Sequence, residues 1–144
     1  MSGTFSIGQM AKAGNCKVQT IRYYEEIGLL PKPQRSGGNQ RLYLEEHRDR
    51  LSFIRHSREL GFSLDQIRQI LDLTDDPTHS CAEVDQIARV HLMEVESKIK
   101  RLQSMRKELK RMISQCAGDK VADCRIIKVL SDHALCLADE HQRD

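Results

Sequence analysis

Apolar positions change rhythm several times along the chain, and each change predicts an element. Ser6, a cap-type residue, precedes the short amphipathic run Ile7-Gly8-Gln9-Met10-Ala11-Lys12-Ala13, and Gly14-Asn15 breaks it. A second helix is predicted from about Lys17 to Ile27, with Val18, Ile21, Tyr24 and Ile27 on its inner face and Gly28 ending it. Two short helices separated by a tight turn predict a helix-turn-helix. Pro31-Lys32-Pro33 then excludes helix, Ser36-Gly37-Gly38-Asn39 predicts a turn, and Gln40-Arg41-Leu42-Tyr43 alternates as a strand does, so a small wing is expected. Helical spacing returns over Glu45 to Leu60 with Leu51, Phe53 and Ile54, and again over Leu64 to Leu73, with Gly61-Phe62-Ser63 between them.

The rhythm from Cys81 to Gln115 is of another kind. No Pro or Gly interrupts it, and Ala88, Leu92, Val95, Ile99, Leu102, Leu109 and Ile113 follow a heptad seam. A helix of that length is roughly 52 Å long at 1.5 Å per residue, too long for a chain of this size to bury. It requires a partner helix. Ala117-Gly118-Asp119 ends it, and Ile126-Ile127 to Leu130 predicts a last short helix. The expected architecture is mainly α, in four parts: a winged helix-turn-helix domain with linker helices over 1–75, a long antiparallel coiled-coil dimerisation helix over 78–115, a cysteine-bracketed loop and short helix over 116–137, and a flexible tail over 138–144.

Charge sharpens this division. The net charge is only +2, yet residues 1–60 hold 10 Lys/Arg against 6 Asp/Glu, while 61–144 hold 13 against 15. The basic half is the one expected to meet phosphate. Lys17, Gln19, Thr20, Arg22 and Tyr23 on the second helix, Arg35, Asn39, Arg41 and Tyr43 in the wing, and Arg55 on the next helix are the candidate DNA contacts. No segment reads as a secretory leader and no apolar run reaches the roughly 20 residues of a membrane span. With an odd cysteine count of 5, this predicts a cytoplasmic, thiol-reducing setting, where clustered cysteines point to metal or redox chemistry rather than disulfides. No His-Glu pair at ligand spacing, phosphate-binding glycine loop or nucleophile motif supports an enzyme.

The run Thr20-Ile21-Arg22-Tyr23-Tyr24-Glu25, then Gly28-Leu29-Leu30, Arg35, Asn39, Arg41-Leu42-Tyr43 and Leu60-Gly61-Phe62-Ser63-Leu64 closely resembles the MerR family of metal-responsive transcription regulators. The resemblance implies a homodimer seated on double-stranded promoter DNA with an over-long spacer. It also implies activation by distorting that DNA when inducer binds, with RNA polymerase engaged only indirectly.

Soft ions prefer thiolate ligands, so Cys116 and Cys124, bracketing one loop, are candidate metal ligands from a single chain. Cys81 is the candidate third. The long helix keeps it from Cys116 of its own chain, so another subunit must supply it. An antiparallel register that sets Cys81 beside the partner subunit's Cys116 also pairs Val84 with Ile113, Ala88 with Leu109, Leu92 with Met105 and Val95 with Leu102, apolar throughout. Three thiolates leave a charge of about −1 around a divalent ion, which favours Zn, Cd, Pb or Hg. The loop from Cys116 to Cys124 resembles instead the copper(I)-sensing branch of the family. That branch resembles a serine at position 81, whereas the divalent sensors carry cysteine, so Cu(I) stands as the alternative ion. A reversible Cys116–Cys124 disulfide, making the chain a thiol redox regulator, is the alternative of a different class. Cys16 reads as a packing residue, and His79, His91, His133, Cys136 and His141 as candidates for an auxiliary site or, more simply, as exposed or capping side chains.

Overall fold

Ser6 starts the first helix by a reciprocal cap. Its hydroxyl accepts from the Gln9 amide at 3.1 Å while its own amide donates to the Gln9 side chain at 2.8 Å, satisfying two amides that the helix cannot. In the computed structural model, which describes residues 3–116, 121 and 124–135, this opens α1 (Ile7–Ala13). The chain continues as α2 (Val18–Glu26), β1 (Gln34–Arg35), β2 (Arg41–Leu42), α3 (Glu45–Glu59), α4 (Leu64–Thr74), α5 (Ala82–Gln115) and α6 (Arg125–Ser131), with a 3-10 turn at His133–Leu135. Ser63 and Gln66 repeat the same cap at the start of α4. The expected mainly α architecture, with a helix-turn-helix, a wing and a long helix, is the one observed. The loop residues 117–120 and 122–123 and the tail expected over 138–144 lie outside the described residues.

The chain divides into two compact units, Met1–Val84 and Asp85–Asp144. In the first unit, Met10, Ile21, Leu30, Tyr43 and Leu51 form one buried cluster, uniting α1, α2, the end of the wing and α3. Leu29, Ile54, Ile67 and Leu71 form a second, which packs α4 against α3. Gly14, at the end of α1, lets these layers close. A Cβ there would stand 2.8 Å from Cδ2 of Leu51, so only the missing side chain allows α3 to come this near.

The wing is a two-stranded antiparallel hairpin in which Gln34 faces Leu42 and Arg35 faces Arg41. Asn39 takes the left-handed conformation at its tip, φ 63°, which asparagine tolerates better than most side chains. Phe5 and Tyr43 exchange two backbone hydrogen bonds, both 2.8 Å, and so tie the N-terminal segment to the base of the hairpin.

In the second unit, α6 is fastened near the C-terminal end of α5. Arg125 donates to the Gln115 side chain at 3.1 Å, Arg111 bridges Glu108 and the carbonyl of Leu135, and Val129 and Met112 are buried. The seam of α5 is another matter: Leu92, Leu102, Leu109 and Ile113 keep 55%, 57%, 53% and 65% of their surface exposed. Among the described residues no helix is long and apolar enough to cross a membrane.

Gly14→Ala should therefore destabilise the first unit by about 1–3 kcal/mol through overpacking against Leu51. Gly37→Ala, where nothing lies within 4 Å of the added carbon, should change stability little. Urea unfolding of the two variants checks the difference.

Candidate nucleic-acid interface and metal centre

Helix α2 ends its turn-helix pair with a polar outer face. Lys17 occupies its N-cap position, Gln19, Arg22 and Tyr23 are exposed, and Thr20 is half-buried. In the wing, Arg35 is exposed and donates from Nη1 to the carbonyl of Asn39 at 3.0 Å, so this guanidinium braces the hairpin tip beside it. Between α2 and the wing lies an open cleft of about 370 Å³ lined by Arg22, Glu25, Glu26, Lys32, Pro33, Arg35 and Arg41. Four cations outnumber two carboxylates along its walls, a balance suited to an anion. Lys32 was not singled out by sequence reasoning, which took the segment between the prolines only as a helix breaker. Arg55 is half-buried and paired with Glu59 at 3.2 Å, so part of its charge is already spent inside the protein.

Tyr43 is a correction. Expected as a DNA contact, it is fully buried, and its hydroxyl donates to Glu25 Oε2 at 2.6 Å. Burial, the hydrogen bond and the charge of Glu25 together push its pKa far above the ordinary phenol value, with Arg41 opposing. Strand alternation does put Arg41 and Tyr43 on one face. That face turns towards Glu25 of α2, where the Arg41 guanidinium comes within 3.9 Å of the carboxylate.

Of the three candidate metal ligands, two are brought together. Cys116, just past α5, and Cys124, at the N-cap position of α6, are half-buried with their sulfurs 3.7 Å apart. Both are free thiols. Tetrahedral coordination with metal–sulfur bonds of about 2.3 Å sets neighbouring sulfurs about 3.8 Å apart, so the pair fits a shared thiophilic ion without rearrangement. The amide of Ile127 lowers the pKa of Cys124 most, partial desolvation opposes it, and the Cys116 thiol and the Ile126 amide lower it further. Cys81 is exposed just ahead of α5. Among the described residues of one chain, no three His, Cys, Asp or Glu side chains are grouped for a metal ion.

Cys16 packs against the cluster of Met10 and Ile21, and burial raises its pKa, as a packing residue requires. His79 is exposed and lies 3.8 Å from Asp76. His91, read from the sequence as an exposed or capping side chain, is instead buried, with Nδ1 3.6 Å from Glu94. The side chain of His133, together with Cys136 and His141, lies outside the described residues.

Two family descriptions match this chain in overlapping parts: "MerR HTH family regulatory protein" over residues 5–74, and "MerR, DNA binding" over residues 48–112. The chain is 41% identical to the HTH-type transcriptional regulator ZntR of Escherichia coli K12 over 90% of its own length and 94% of that protein. The chain belongs to the MerR family. This makes it a transcriptional regulator and not an enzyme. Among solved MerR-type structures, it is similar to PbrR691 of Ralstonia metallidurans CH34 in complex with lead(II), with TM-score 0.76, 42% identity and coverage of 88% of this chain and 98% of that one. It is also similar to MerR of Bacillus megaterium MB1 in complex with mercury(II), with TM-score 0.67, 28% identity and coverage of 89% and 100%.

The opposite pKa directions of Cys124 and Cys16 have a measurable sign. A lowered pKa enlarges the thiolate fraction at a given pH and a raised one shrinks it. In metal-free, reduced protein, iodoacetamide should therefore alkylate Cys124 at lower pH than Cys16. Peptide mass spectrometry across a pH series checks the order; Cys16 reacting first would contradict it.

Proposed function

We propose that this MerR-family chain acts as a homodimer on promoter DNA and responds to a soft divalent ion held by Cys116 and Cys124 of one subunit and the partner subunit's Cys81. The observation that carries this reading is the thiol pair at 3.7 Å, which supplies two soft donors with no third ligand grouped beside them among the described residues of one chain. A third thiol is available at the exposed Cys81, which precedes the same long helix that Cys116 follows. The bound ion would supply the cross-link between subunits, as a Lewis acid joining sulfurs from both. Lead(II) and mercury(II) in the two related structures support a heavy, thiophilic ion of charge +2. Zn, Cd, Pb and Hg all meet that description. Cu(I) remains the alternative, to which two thiolates alone would give the same total charge.

The dimer follows from the uncovered seam. Burying a leucine side chain is worth about 1.5–3 kcal/mol, so four exposed seam residues make a second helix strongly favourable. An antiparallel pair of α5 helices covers them and brings Cys81 to the opposite end of the partner. On the DNA side, Lys17, Gln19, Thr20, Arg22 and Tyr23 of α2 read or brace the major groove. Arg35, Asn39 and Arg41 of the wing, with Arg55 of α3, contact the backbone. Binding of the ion resets the angle between two such surfaces and thereby the twist of the promoter, with polymerase responding to the DNA rather than to the protein.

Cys81→Ser, Cys116→Ser and Cys124→Ser should each weaken ion binding by more than the roughly 10–100-fold that loss of a mere outer-shell partner costs. Each should abolish induced transcription while promoter affinity stays near that of the parent. Equilibrium titration with Zn, Cd, Pb, Hg and Cu(I), alongside transcription in vitro, checks this. Normal induction by Cys81→Ser would remove the shared site, and strict selectivity for Cu(I) would replace the divalent reading with the monovalent one.

A further inference from the structure

Glu25 is an anomaly on a surface meant for DNA. It belongs to α2, lines the basic cleft, and carries a charge that phosphate repels, yet its side chain is only 6% exposed. A buried carboxylate is costly unless strong donors meet it. The donor here comes from the wing: the Tyr43 hydroxyl at 2.6 Å. The Arg41 guanidinium stands 3.9 Å away, too far for a hydrogen bond and close enough to attract. Arg41 is 26% exposed, and its Nη1 is buried with no hydrogen-bond acceptor among the described residues. With Nη1 shut off from solvent beside Glu25, it is the exposed part of the Arg41 side chain, on the wall of a cleft rich in cations, that can meet a phosphate oxygen.

We propose that Glu25 is a positioning residue for promoter binding: held by Tyr43, it fixes the wing against α2 and holds Arg41 where a backbone phosphate of DNA is received. The proposal rests on the reading that α2 and the wing face DNA. It also reverses the sign expected from simple electrostatics. Neutralising a carboxylate near phosphate should tighten binding, whereas losing the residue that aims Arg41 should loosen it.

The test uses the full chain and a fluorescent duplex selected by the parent protein from a randomised pool, with binding followed by anisotropy. Glu25→Gln keeps an oxygen for the Tyr43 hydroxyl and removes the charge, so it should melt near the parent and bind about tenfold more weakly. The double variant Glu25→Gln/Arg41→Gln should bind no more weakly than Arg41→Gln alone, because the effect of Glu25 passes through Arg41. Parent-like or tighter binding by Glu25→Gln, or fully additive losses in the double variant, would overturn the proposal. Should Glu25→Gln fail to fold, Tyr43→Phe cuts the same link from the wing side: parent-like affinity overturns the proposal, and weakened binding by a folded protein supports it. Arg22→Ala separates the two levels of inference. If it weakens binding while Glu25→Gln does not, the positioning role fails alone; if neither matters, the assignment of this face to DNA fails with it.

Discussion

A carboxylate shut away from water has to be answered by a donor, and in this chain the answer comes from a different element of structure. The hydrogen bond between Tyr43 and Glu25 joins the hairpin to the second helix at the heart of the first unit. Around it the buried cluster of Met10, Ile21, Leu30 and Leu51 closes, so the polar link sits within apolar packing instead of apart from it. The low dielectric there strengthens the bond and penalises its loss. Specificity of arrangement, more than net stability, is what such a group contributes.

Much of the fold was legible because its signals are local. Ser6 and Ser63 each stand three residues before a glutamine, and both caps form as that spacing implies. Gly28 ends α2 in a left-handed conformation, φ 79°, which the sequence announces simply by having glycine there. Tyr43 was misread for an equally physical reason. Period-two alternation says that Arg41 and Tyr43 share a face but not which way the face turns, and that depends on Glu25, 18 residues away. Lys32 escaped notice because two flanking prolines dominate the local reading, while its neighbourhood is made by the tertiary fold.

The cysteines divide in the same manner. Cys116 and Cys124 bracket a short segment, so their proximity could be anticipated, and the sulfurs do meet. Residues far apart along a helix have no such local signal: the seam of α5 records the need for a second helix, and its antiparallel direction was expected only from placing Cys81 beside the partner subunit's Cys116. Apolar residues at heptad spacing remain open to solvent. Membership of the MerR family accounts for the combination of a winged helix-turn-helix with this long helix.

Gly14 has one further consequence. With Leu51 filling the space above it, the junction between the first two helices has no room for a side chain. On the function proposed above, so closely packed a reading head would serve as a stiff gauge, and wherever a promoter departs from its shape the double helix would have to yield.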